Sequence, residues 1–114
     1  MTKYEVKITA DAKAVILEKA RYIAEVNLEP LNAARWLTAV YKAADTLDEW
    51  PKRCSKAEED PYRDFDIYKL VVKRFTLLFT IVEETKTVWV IGGRAAGQLP
   101  KLDELPDEPP SGTQ

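Results

Sequence analysis

The residues able to do chemistry are few, and most are cations. Lys69, Lys73, Arg74 and Arg94 fall at the ends of strand-like runs and can gather as a positive patch, with Tyr68 beside the first of them. Such a patch suits RNA phosphates or an acidic protein surface. The plainer reading is turn solvation and protection of strand edges, which lysines commonly provide. Tyr68 can stack on a base or transfer a proton, although a strand tyrosine more often packs on its cross-strand neighbour. Glu58, Glu59 and Asp60 could supply a carboxylate base, but no second acid, base or metal cluster accompanies them. The expectation for these three is a solvated acidic loop. Cys54 has no histidine beside it to draw off its proton, so a catalytic thiolate is not expected.

The missing residue types narrow the chemistry further. The chain has no histidine and one cysteine. Histidine acid–base catalysis and every Ser-His or Cys-His arrangement are thereby excluded, as is a disulfide within the chain. A zinc site would lack its usual ligands, and neither metal nor cofactor is expected. With 114 residues, 46% hydrophobic and 32% charged, the chain is expected to fold as one globular domain. Four of the 19 acids sit in the tail at Asp103, Glu104, Asp107 and Glu108, which leaves a mildly positive body despite a net charge of −2. That is a weak hint of a nucleic-acid partner. No apolar run reaches membrane-spanning length and Met1–Glu5 is no signal peptide, so a cytoplasmic protein is expected.

The element that must position these residues runs from Asp66 to Ile91. Three strand-length runs rich in β-branched and aromatic residues are separated by gaps short enough only for hairpins, which predicts an antiparallel meander. The middle run carries Phe75, Leu77, Phe79 and Ile81 on one face and Leu78 and Val82 on the other, as a central strand should. Ahead of it, Tyr4, Val6 and Ile8 alternate with polar residues and predict a half-buried strand. Thr9 or Asp11 can cap an amphipathic helix from Ala12 to about Leu28. Pro30 opens a second helix to about Glu49, with Ala33, Leu37, Val40, Ala44 and Leu47 as its core seam. Pro51–Asp64 reads as a polar connection. Gly92-Gly93 is expected to end the last strand. If Val88 and Val90 face the helices, Trp89 faces the other way, and on an open sheet face it would mark a protein-binding surface.

The order β-α-α-β-β-β gives an α+β domain over residues 1–98, its helical hairpin packed on one face of an antiparallel sheet. Residues 99–114 form an acidic, Pro-rich tail. Leu99, Leu102 and Leu105 can dock a short segment of it, and Pro106–Gln114 is expected to be disordered.

This order, with its landmarks, resembles the RelE/ParE superfamily of type II toxin–antitoxin toxins. The likeness covers residues 3 to 98. It rests on Tyr4-x-Val6-x-Ile8 before a Thr-led helix, on Ala34-Arg35-Trp36-Leu37, and on Leu47 followed by Pro51, Cys54, Ala57 and Glu58. It continues through Leu70-Val71-Val72 to Phe75-x-Leu77-Leu78-Phe79 and ends at Val88-x-Val90. The resemblance implies a growth-inhibiting toxin of the kind linked to plasmid stabilisation. A cognate antitoxin would neutralise it, and oligomers can form through that antitoxin. One branch of the superfamily cleaves mRNA on the ribosome and another poisons DNA gyrase. Here Tyr68 and Lys69 stand where the first branch often has arginine, Thr76 replaces another arginine, and Ala95 follows Arg94 where a histidine is usual. These departures favour the ParE-like branch, with Trp89, Lys73, Arg74 and Arg94 contacting target or antitoxin. The alternatives are a ribosome-dependent endonuclease that uses Lys69, Arg74, Arg94 and Tyr68 as substitutes, and a decayed toxin that only binds antitoxin.

Overall fold

The structure is a computed structural model that describes residues 3–100 and 102–110. Strand β1 spans Glu5–Ile8. Thr9 then caps helix α1, Ala10–Arg21, its Oγ1 accepting the Ala12 N–H at 3.1 Å. The helix does not continue to Leu28 in α form. It widens into a π-turn over Tyr22–Val26, and Leu28 turns the chain with a left-handed φ of 58°. Across this turn Ile23 stays against the core, while Tyr22 and Val26 point to solvent.

Pro30 occupies the first turn of helix α2, Pro30–Asp45, where its missing N–H is no loss. A 3₁₀ turn over Thr46–Asp48 completes the second helix. Ala33, Val40, Ala44 and Leu47 are buried along the expected seam and Leu37 is partly buried. Trp36 joins them, its ring meeting Phe75 edge-on at 5.3 Å. The meander follows as β2 (Tyr68–Val72), β3 (Phe75–Val82) and β4 (Thr87–Ala95).

The sheet order is β1-β4-β3-β2. The helical hairpin carries the chain across one face, so β2 starts at the far edge and the meander works back until β4 lies beside β1. The meander is antiparallel as expected, but β1 pairs with β4 in parallel, which makes the sheet mixed. The helices and one face of all four strands enclose the main core, where Val40, Leu77, Phe79, Val88 and Val90 are fully buried.

The second face is not open. Ala57 from the connection, Ile67 just ahead of β2, and Leu105 from the tail pack over Leu78, Trp89 and Ile91 in a second core. The connection is less polar in its contacts than in its composition, because Ala57 turns toward the sheet, although Tyr62 stays exposed. The tail packs back on the body: Arg63 Nε donates to the Pro106 carbonyl at 2.9 Å, and Pro110 is buried. Residues 111–114, the remainder of the segment expected to be disordered, lie outside the described residues.

Strand β4 does not stop at Gly92-Gly93. It runs on to Ala95, paired with Phe75, and both glycines serve close packing. A Cβ on Gly93 would lie 2.6 Å from the Phe75 ring. Phe75 is held in turn by Trp36, so the ring has little freedom to move aside. We expect Gly93→Ala to destabilise the fold by about 1–3 kcal/mol through overpacking, read as a lower urea midpoint at unchanged slope. An unchanged midpoint would mean that Phe75 is not seated against Gly93.

Candidate functional site

The strongest polar cluster gathers where β4 passes a bulge. Leu78 pairs with Gly92 while Phe79 pairs with Val90, so Ile91 is an extra residue on β4. Strict alternation from Val88 would send Arg94 to the helix-covered face. The added residue reverses this. Arg94 pairs with Thr76 and projects from the second face, the side that carries Lys69 and the connection.

There the Arg94 guanidinium meets two carboxylates. Its Nε donates to Glu59 Oε2 at 2.8 Å and its Nη2 to Glu58 Oε1 at 2.6 Å. Lys69 Nζ donates to the other Glu58 oxygen at 2.9 Å. Glu59 is fully buried and the Arg94 side chain is only 12% exposed. A carboxylate so far from water requires a charge partner, and the bulge supplies one. Glu59 Oε1 is buried with no hydrogen-bond partner. The acidic loop is therefore not simply solvated: Glu58 reaches solvent, but Glu59 is part of the interior.

The electrostatics agree with the geometry. The Lys69 hydrogen bond, aided by the Arg94 charge, holds the Glu58 carboxyl down at about 2. The Glu59 hydrogen bond is the main cause that pushes Arg94 further up. On the opposite edge of the molecule Lys86, Lys52 and the Tyr4 hydroxyl surround Glu83 and hold it at about 2 as well. Burial pushes the Cys54 thiol up, which favours the uncharged form.

The residues singled out from the sequence separate into four places. Lys69 and Arg94 come together, but around Glu58 and Glu59. Tyr68 lies on the helix-covered face, stacked on Phe79 at 5.5 Å, which is the packing role. Lys73 and Arg74 form the two-residue β2–β3 turn, both exposed, with left-handed φ values of 50° and 62°. Trp89 corrects the sequence reading. It does face away from the helices, but Ala57, Ile67 and Leu105 share its buried cluster and it is 2% exposed. It cannot be a surface anchor. Lys7 adds a cation 5.4 Å from its ring centroid.

Sequence reasoning missed the exposed apolar residues. Leu17, Tyr22, Val26, Leu28 and Leu31 lie on or near the tip of the helical hairpin, each about half exposed or more. Their signal was present as apolar residues off the core seam. Trp50 is 73% exposed and adopts a left-handed φ of 47°, a strained state for so bulky a side chain. Its backbone is fixed by Arg53, whose Nη1 donates to the Glu49 carbonyl at 2.8 Å and to the Trp50 carbonyl at 3.2 Å.

The low values of Glu58 and Glu83 set an acid-sensitive window. Each carboxylate titrates lower in the folded chain than in the unfolded one, where glutamate ionises near pH 4.3. Their stabilisation is present above that pH and is lost as pH falls toward 2. Both side chains are well exposed, so each contributes at most about 1 kcal/mol. We expect the double variant Glu58→Gln/Glu83→Gln to be less stable at pH 7 and to lose less stability between pH 5 and pH 2. Parallel pH profiles for variant and parent would contradict this.

Comparison with known proteins places this architecture. The sequence model of the family described as ParE toxin of type II toxin-antitoxin system, parDE, matches residues 6–95. No curated protein sequence matches the chain. Among solved structures, the fold is similar to the chromosomal ParDE toxin–antitoxin system from P. aeruginosa, with a TM-score of 0.69 at 14% identity over 84% of this chain and 99% of that one. It is also similar to the RelBE2 toxin–antitoxin complex from Mycobacterium tuberculosis, with a TM-score of 0.59 at 21% identity over 86% and 97% of the two chains. The archaeal RelE–RelB complex from Pyrococcus horikoshii OT3 aligns with a TM-score of 0.52 at 13% identity, covering 87% of this chain and all of that one. Among the described residues, no helix is long and apolar enough to cross a membrane. With the family match spanning most of the chain and the helical hairpin on a four-stranded mixed sheet, the chain belongs to the ParE toxins of type II toxin–antitoxin systems.

Proposed function

We propose that this toxin acts by binding a target protein, with DNA gyrase the target its family suggests, and that a cognate antitoxin neutralises it by covering the helical hairpin. The observation that carries the reading is the double engagement of Arg94 by Glu58 and Glu59. Cleavage of RNA by its own 2′-hydroxyl needs a base, an acid and a cation free to meet the phosphate. Arg94 and Lys69 are occupied by carboxylates, and Tyr68 stacks on the other face of the sheet. Arg74 stands apart at the turn.

A binding role needs a surface instead. Leu17, Val26, Leu28 and Leu31 offer exposed apolar contacts around the hairpin tip, bordered by the Arg21–Glu25 pair. Apolar contacts ringed by charge suit an amphipathic segment of a partner. The structural neighbours in complex with antitoxins support the presence of such a partner here.

Two assays with the purified chain separate the readings. We expect inhibition of gyrase supercoiling at stoichiometric excess and no cleavage of a ribosome-bound message. Message cleavage that disappears in Arg74→Ala would instead establish a ribosome-dependent nuclease. No effect in either assay, with normal growth on induction, would mean a chain that only binds antitoxin.

A further inference from the structure

The tail is held by a socket that reads like a peptide site. Leu105 is buried, with its Cδ2 2.8 Å from where a Cβ on Gly92 would stand, so the absent side chain of Gly92 makes the floor. Arg63, its side chain 13% exposed, grips the tail backbone. Its Nε donates to the Pro106 carbonyl and its Nη2 to the Leu102 and Leu105 carbonyls, while Asp107 lies within 3.7 Å. Over residues 102–107 the anchoring is one leucine, three carbonyls and one carboxylate at the rim, with Pro110 buried further along. Asp103, Asp107 and Glu108 are exposed, and Glu104 is exposed at the edge of the cavity under Leu105. The link to β4 turns at Gly97, φ 87°, where Gln98 and Ala95 exchange hydrogen bonds, and leaves Leu99 82% exposed.

The resident segment also leaves the site incomplete. A small cavity under Leu105 is lined by Glu59, Gly92, Arg94 and Glu104. Glu59 Oε1, the buried side-chain oxygen without a partner, belongs to this same group of residues. A hydrogen-bond donor entering here would satisfy it, and neither the Leu105 side chain nor the Glu104 carboxylate provides one.

We propose that this groove binds an extended acidic segment of a partner protein, with a leucine in the Gly92 socket, proline next and a side-chain donor toward Glu59. Residues 102–107 are the resident competitor that such a segment displaces. The backbone grip of Arg63 is indifferent to side chains, so the leucine and the donor set the preference. The groove and its competitor are the same whether the toxin's target is gyrase or the ribosome.

The test uses the full chain and a fluorescein-labelled peptide of residues 102–110, followed by anisotropy. The unmodified chain should bind it weakly. A chain carrying Leu105→Ala should bind at least about tenfold tighter, because its own competitor is weakened. Asp107→Lys, at a side chain 96% exposed, should act in the same direction without touching the core and decides the matter if Leu105→Ala does not fold. A peptide with Leu105→Ala should lose binding, and one with Glu104→Gln, which brings an amide donor, should bind several-fold tighter. Gly92→Ala added to the Leu105→Ala chain, whose own competitor is already weakened, should weaken every peptide that carries Leu105 by filling the floor. Equal affinity of parent and variant chains, or no binding to any folded chain, would overturn the proposal. A concentration-dependent dimer that the peptide dissociates would overturn it too, by assigning the groove to the tail of a second copy.

Discussion

Glu59 is a carboxylate with no access to water, and the second half of this molecule is arranged around giving it a counter-charge. An unpaired charge at that depth would carry a desolvation penalty of several kcal/mol. The solution is covalent geometry: one extra residue, Ile91, turns the end of β4 so that Arg94 faces the connection. Arg94 then also takes Glu58, and Glu58 takes Lys69 from β2, so two strands and the connection are tied at one point. Above that knot, Ala57 and Ile67 are held over Trp89. The glycine that follows the bulge residue is the one against which Leu105 packs. The second core and the docking of the tail both rest on this turn of the strand.

The same knot bears on what Arg94 can do chemically. A cation that closes an internal ion pair is poorly placed to meet a phosphate, since leaving Glu59 would strand a buried charge. What the molecule presents outward is surface. The helical hairpin carries apolar residues that its own core does not use, and the tail groove holds residues 102–107 by a single buried side chain, Leu105. In physical terms these are places where a partner gains burial at little conformational cost.

Much of the scaffold was legible. Strand alternation in β3 separated Phe75, Leu77, Phe79 and Ile81 from Leu78 and Val82, and the two cores divide them the same way. The α2 seam and the Thr9 cap follow directly from residue type and spacing. What could not be read was anything that depends on a count being off by one. The bulge at Ile91 leaves no trace in composition, and without it Arg94 is assigned to the wrong face. The direction of β1 is equally invisible to periodicity, since parallel and antiparallel neighbours share the same alternation. Trp89 was placed on the correct side, but its cover comes from Leu105, 16 residues further along in a stretch whose acids and prolines signal disorder. Glu59 was hidden for a similar reason: beside Glu58 and Asp60 it reads as one of three solvated acids, and only the fold distinguishes it.

The most direct test of the ion pair is a double-mutant cycle on stability at neutral pH. Arg94→Ala alone should destabilise the chain by about 3–5 kcal/mol, because it leaves Glu59 buried without its counter-charge. Adding Glu59→Leu to that variant should restore most of the loss, giving a coupling well above the ~0.5 kcal/mol scatter of independent sites. If the two losses simply add, Glu59 does not depend on Arg94, and the second core must be held in some other way.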